Sequence, residues 1–106
     1  MEFVTVRNPY LSSSKTEEEA VDKLMRAQLL VVLRKLIIEQ GLTQTDAAEV
    51  LGITQPRVSD IINGKISVYT VEKLMFLLFK LGWRFDFSYE NGKVSIESEK
   101  INSQVA

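Results

Sequence analysis

Two threonine-glutamine pairs, Thr43-Gln44 and Thr54-Gln55, each head a short run whose apolar residues fall at helical spacing. A Thr in that place accepts from the amides of a helix's first turn, which otherwise lack partners. The Gln beside it carries both a donor and an acceptor into solvent. An exposed helix N-terminus favours phosphate, because its amides and its dipole both attract an anion. Gln44 is therefore expected at a nucleic-acid backbone. Gln55, on the second run, is expected in the major groove, where its amide can pair in bidentate fashion with N7 and N6 of adenine. The bland alternative is that both glutamines are solvated first-turn residues.

The elements that must position these side chains are legible around them. Thr43 caps a helix over Gln44 to Leu51, with Asp46 as reciprocal capping partner and Gly52 as its stop. Thr54 caps a second helix running to about Asn63, with Pro56 in the first turn, where a missing amide costs little, and Gly64 ending it. Two helices joined so tightly cross at a steep angle and need small residues there, which Ala47 and Ala48 supply. Leu51, Ile53, Val58 and Ile61 then fall where the pair buries itself. Together these positions make a helix-turn-helix pattern.

A longer helix precedes the pair, capped by Thr16 with Glu17, Glu18 and Glu19 in its first turn, and ends near Gln40 before Gly41. Three apolar faces are possible on it. Ala20, Leu24, Ala27, Val31 and Ile38 form one, Val21, Met25, Val32 and Leu36 a second, and Leu30, Leu33 and Ile37 a third. Cover on several sides is expected, from the chain itself or from a second subunit. A fourth helix is expected from Val71 to Leu81, capped by Thr70 and closed by Gly82, with its LMFLLF centre deeply covered. The period-two alternation of WRFDFSY and KVSIE, joined at Asn91-Gly92, predicts a β-hairpin. The resulting division is an arm over 1–15 with at most one strand (FVTV), a helical domain over 16–82, a hairpin over 83–98 and a tail over 99–106.

Composition narrows the chemistry. The 106 residues contain no Cys and no His, which removes thiol nucleophiles, imidazole bases and most transition-metal sites. No catalytic constellation, metal-spaced carboxylate cluster or phosphate-binding Gly loop is present, so neither an enzyme nor a cofactor is expected. The N-terminus lacks a secretory pattern and no apolar run approaches membrane-spanning length, so a cytoplasmic protein is expected. Net charge is -1, with 13 basic against 14 acidic residues, so affinity for nucleic acid must come from local geometry.

The stretch LTQTDAAEVLGITQPRVSDIINGK resembles the helix-turn-helix of the XRE, or lambda-repressor-like, regulators, particularly the small ones carrying TQPRVS, HigA-type antitoxins among them. The resemblance extends over about Glu17 to Phe87. It implies a mainly α, lambda-repressor-like bundle with a C-terminal β-hairpin. It also implies that Thr54, Gln55, Arg57, Ser59 and Asn63 face double-stranded DNA while Gln44 and Lys65 lie near phosphates. One departure is Asp60, on or near that face, which repels phosphate unless it accepts from a cytosine amino group. From Gln44 to Lys65 there are three acids against two bases, a weak electrostatic field for such a site.

These readings imply a sequence-specific transcriptional regulator, a repressor acting as a homodimer. The alternative is an antitoxin that binds and neutralises a toxin protein and autoregulates its promoter. Trp83, Phe85, Phe87 and Tyr89, on one face of the first hairpin strand, are the expected dimerisation residues. The competing reading is that the hairpin simply closes its own domain.

Overall fold

Thr16 Oγ1 accepts from the amide of Glu19 at 3.0 Å and starts the longest element, α1 (Glu17–Glu39). The computed structural model describes residues 8–10 and 16–101. After α1 come α2 (Gln44–Leu51), α3 (Gln55–Ile62), a 3-10 turn (Ile66–Val68), α4 (Val71–Lys80) and the strands β1 (Trp83–Glu90) and β2 (Lys93–Lys100). The expected strand at FVTV lies outside the described residues. Within the arm, Asn8 Oδ1 accepts from the amide of Tyr10 at 2.9 Å, the side-chain turn that an Asn-Pro pair favours.

Helix ends follow local chemistry. Thr43 and Asp46 form the complete capping box, Oγ1 accepting from the Asp46 amide at 3.0 Å and Oδ2 of Asp46 accepting from the Thr43 amide at 3.4 Å. Thr70 Oγ1 accepts from the Lys73 amide at 3.1 Å and starts α4. The α2–α3 turn requires a left-handed residue, and Gly52 supplies it at φ 69° while the Ile53 amide donates back to Ala48 at 3.0 Å.

One core holds the helices together. Leu30, Leu33 and Ile37 of α1 meet Ala47 and Leu51 of α2, Val58 and Ile61 of α3, and Leu74, Leu77 and Leu78 of α4. Of the three faces expected on α1, only the one carrying Leu30, Leu33 and Ile37 is core, joined by Ala20 near the N-terminus. Val31 and Ile38 on the first face, and Val21, Met25 and Val32 on the second, are exposed. α4 likewise buries one side only: Phe76 and Phe79 stand exposed with ring centroids 6.3 Å apart, and the Lys73 and Lys80 ammonium groups lie over Phe76. At the α2–α3 crossing Ala47 is fully buried, whereas Ala48 is half-buried at the edge of the core.

The hairpin is antiparallel, in the register set by Asn91 and Gly92, both at positive φ as a type I′ turn requires. Its second strand runs to Lys100, two residues past the expected end. Trp83 and Phe85 pack against the helical core. The other half of that face is open: Phe87 is 63% exposed, Tyr89 74%, and their cross-strand partners Ile96 and Val94 are exposed as well. The four aromatic residues expected to act together are thus divided, because the core cluster reaches Trp83 and Phe85 and nothing described covers the outer pair. Among the described residues no helix is long and apolar enough to cross a membrane.

Candidate nucleic-acid interface

α3 buries Val58 and Ile61 completely, packs Ile62 against the edge of the core, and turns its remaining side chains outward. Thr54, Gln55, Pro56, Arg57 and Asn63 are exposed, Ser59 and Asp60 half-buried. At about 100° per residue, Pro56, Ser59, Asn63 and Asp60 lie opposite the core, with Gln55 and Arg57 on the two shoulders. Pro56 therefore stands near the middle of the outward surface, a position that its reading as a mere first-turn residue missed. Apolar contact with a thymine methyl is the chemistry open to it.

The two threonine-glutamine starts turn out to differ. Thr43 is a working cap; Thr54 has the extended backbone of a cap but its side chain makes no capping bond. The reason lies in the next residues. Pro56 has no amide to give, and the Arg57 and Val58 amides both donate to the Thr54 carbonyl at 3.1 Å. The Thr54 hydroxyl is left for solvent or a ligand. Charge separates the two starts further. α1, α2 and α4 each carry an acid in the first turn, α3 none, so its positive dipole end is uncompensated and Arg57 adds to it. Gln44 is exposed too, but the Asp46 carboxylate occupies the end of its helix. Any contact of Gln44 with phosphate rests on its side-chain amide.

Polar ties inside the surface fix several of these groups. Asn63 Nδ2 donates to Ser59 Oγ at 3.2 Å, holding two outward residues one turn apart together. Asp60, expected as a repulsive charge, is instead flanked by cations: its Oδ2 lies 3.6 Å from Arg57 Nη1 and its Oδ1 3.6 Å from Lys65 Nζ. The repulsion is offset locally rather than presented to solvent.

Two residues without local sequence signal brace the assembly. Arg26 on α1 pairs with Asp22 at 2.7 Å and donates from Nη1 to the Ile66 carbonyl at 2.8 Å, pinning the segment after α3 across 40 residues of sequence. Tyr69 Oη donates to the Arg57 carbonyl at 3.3 Å. Its phenol is held above the usual tyrosine range, first by burial and then by Asp60, with Arg57 pulling the other way. The neutral hydroxyl is thereby kept as a donor.

The helix-turn-helix domain family matches residues 13–89, nearly three quarters of the chain, so β2 lies beyond the matched segment. A solved structure described as an XRE family transcriptional regulator is 33% identical, covers 69% of this chain and 82% of its own, and superposes with a TM-score of 0.64. No curated protein matches the sequence. By sequence and by fold, the chain belongs to the helix-turn-helix domain family and groups within it with the XRE-family transcriptional regulators.

Proposed function

We propose that this protein is a sequence-specific DNA-binding transcriptional regulator, a repressor, that sets α3 in the major groove. The observation that carries the reading is the N-terminus of α3. Among the four α-helices it is the one start with neither an acid nor a side-chain cap, and it offers a free Thr54 hydroxyl, Gln55 and Arg57 on an exposed surface. In this reading Gln55 and Arg57 meet base edges, Ser59 and Asn63 act as a linked pair, and Thr54, Gln44 and Lys65 meet phosphates. Selection of bound duplexes from a random pool tests it: wild type is expected to enrich one motif, and Gln55→Ala to relax one of its positions. Failure to enrich any motif would refute it.

A single recognition helix covers only a few base pairs, so two-fold pairing, with half-sites about 34 to 36 Å apart, completes the proposal. The outer half of the hairpin, Phe87, Tyr89, Val94 and Ile96, is the apolar surface that a second copy would cover. Trp83 and Phe85 serve the chain's own core. Light scattering is expected to give a dimer at micromolar concentration, and Phe87→Asp a folded monomer. A wild-type monomer would refute the pairing.

The toxin-masking reading draws on a different surface. Between α1 and α4 an open groove of about 550 Å³ is lined by Val21, Met25 and Val71 together with the acidic Glu17, Glu18, Asp22 and Glu72. A lining that mixes apolar and acidic side chains suits a basic protein partner. Co-purification with the product of a small adjacent reading frame, lost in Met25→Asp, would favour it.

A further inference from the structure

A phosphate-binding surface gains nothing from a carboxylate, yet one sits among the charges of α3, and its setting is specific. Asp60 offers one oxygen to each of two cations, Oδ2 to Arg57 and Oδ1 to Lys65, both at 3.6 Å. Its side chain is recessed at 20% exposure, while Arg57 and Lys65 protrude at 52% and 61%. The backbone holds the arrangement as well. Gly64, at φ 71°, turns the chain back so that the Lys65 amide donates to the Asp60 carbonyl at 3.0 Å, which fixes the Lys65 backbone beside the residue that carries the acid. On the other side the Arg57 carbonyl is held by Tyr69.

We propose that Asp60 is a specificity-determining residue: it bridges Arg57 and Lys65 as an internal stand-in for phosphate, so that these cations turn to DNA only when α3 fits its base sequence. The proposal rests on the DNA-binding reading above. Its logic is a competition. Contacts to phosphate are independent of sequence and supply nearly all non-specific affinity. On an arbitrary duplex, where the helix is not seated, Asp60 competes with the backbone for the same two side chains and non-specific binding stays weak. On the correct site, base contacts along α3 offset the loss of the bridge. The alternative role for Asp60, accepting from a cytosine amino group, demands a carboxylate free of other partners, and both oxygens of this one face cations.

The test uses the full chain as wild type, Asp60→Asn and Asp60→Ser, titrated over a range of salt against the duplex that wild type selects and against a scrambled duplex of equal length. Both variants are expected to bind the scrambled duplex about three- to tenfold more tightly at ~0.1 M salt, the gain from releasing two partly exposed ion pairs. Their salt slopes should steepen by about 1 per recognition helix. Affinity for the selected duplex should change less, so the specificity ratio falls. A DNA-free measurement accompanies these: relaxation of the Arg57 Nε–H is expected to show a restrained side chain in wild type and a looser one in Asp60→Asn. Unchanged affinity for the scrambled duplex overturns the proposal, as does equal Arg57 mobility in the two proteins. A loss confined to the selected duplex, with preference altered at one C·G pair, would make Asp60 a base reader instead. Failure of wild type to bind any duplex would refute the DNA-binding reading itself, a result distinct from these.

Discussion

Thr43→Ala and Thr54→Ala change the same residue type at the same place in successive helices, and the structure requires them to fail in opposite ways. At Thr43 the substitution removes the bond that the Asp46 amide donates to Oγ1 and leaves the bond that the Thr43 amide donates to the Asp46 carboxylate without its reciprocal partner. Such caps are worth about 0.5 to 2 kcal/mol. α2 has only eight residues, two of which, Ala47 and Leu51, are core, so a frayed first turn is felt in packing. A loss of about 1 to 1.5 kcal/mol lowers the midpoint of a domain this size by roughly 4 to 10 °C. At Thr54 there is no capping bond to lose, and the expected change is within about 0.5 kcal/mol, as for an ordinary surface position. Binding reverses the order. Thr54→Ala deletes a hydroxyl available to phosphate and should weaken every duplex alike, by about 0.5 to 1.5 kcal/mol, the worth of one hydrogen bond. Thr43→Ala, assayed well below its midpoint, should bind as wild type. Thermal melts and anisotropy titrations at 25 °C read both quantities. Equal melting losses in the two variants, or a larger loss for Thr54→Ala, would refute the distinction between the two helix starts.

Gln55→Ala is expected to cost about 1 to 3 kcal/mol on the selected site and to relax one base position, whereas Lys65→Ala weakens all sequences evenly; identical uniform losses would show that Gln55 does not read bases. Ala47→Leu should cost about 1 to 3 kcal/mol by overpacking, and Ala48→Leu clearly less, since only Ala47 is fully enclosed; thermal melts rank them. Tyr69 carries a raised pKa, so above its ordinary value of 10.0 the unfolded chain gives up a proton that the folded chain keeps. Its contribution to stability is full below that pH and lost as pH rises toward the folded value. Denaturant titrations of Tyr69→Phe should show this component gone, together with about 0.5 to 1.5 kcal/mol for the lost bond to the Arg57 carbonyl.

The elements were legible because their signals are local. A capping Thr, a left-handed Gly and an Asn-Gly turn each act within a few residues, and α2, α3, α4 and the hairpin begin where those residues stand. Cover was not legible, because periodicity shows which residues share a face and never whether another element arrives to meet it. α1 has apolar residues almost all round, and only the side of Leu30, Leu33 and Ile37 receives α2, α3 and α4. The same reason divides the hairpin. Trp83 and Phe85 alternate in step with Phe87 and Tyr89, but only the first pair packs against the helical core.

Within the site, the helix start pointed to Gln55 and the family resemblance to Arg57, Ser59 and Asn63 as outward residues, and a helix with Val58 and Ile61 buried turns all four away from the core. Charge was harder to read, because a one-dimensional count treats Asp60 as a subtraction. Three acids against two bases is a poor field for phosphate only if every charge acts alone. In the fold Asp46 belongs to the cap of α2, and Asp60 is bound to Arg57 and Lys65. The uncompensated positive charge is thereby concentrated at one place, the start of α3, where the free Thr54 hydroxyl and Gln55 also lie. A chain of net charge -1 can therefore present a local anion site without attracting nucleic acid over its whole surface. Such a distribution favours discrimination over raw affinity, since few phosphate contacts leave a larger share of the binding free energy to the bases.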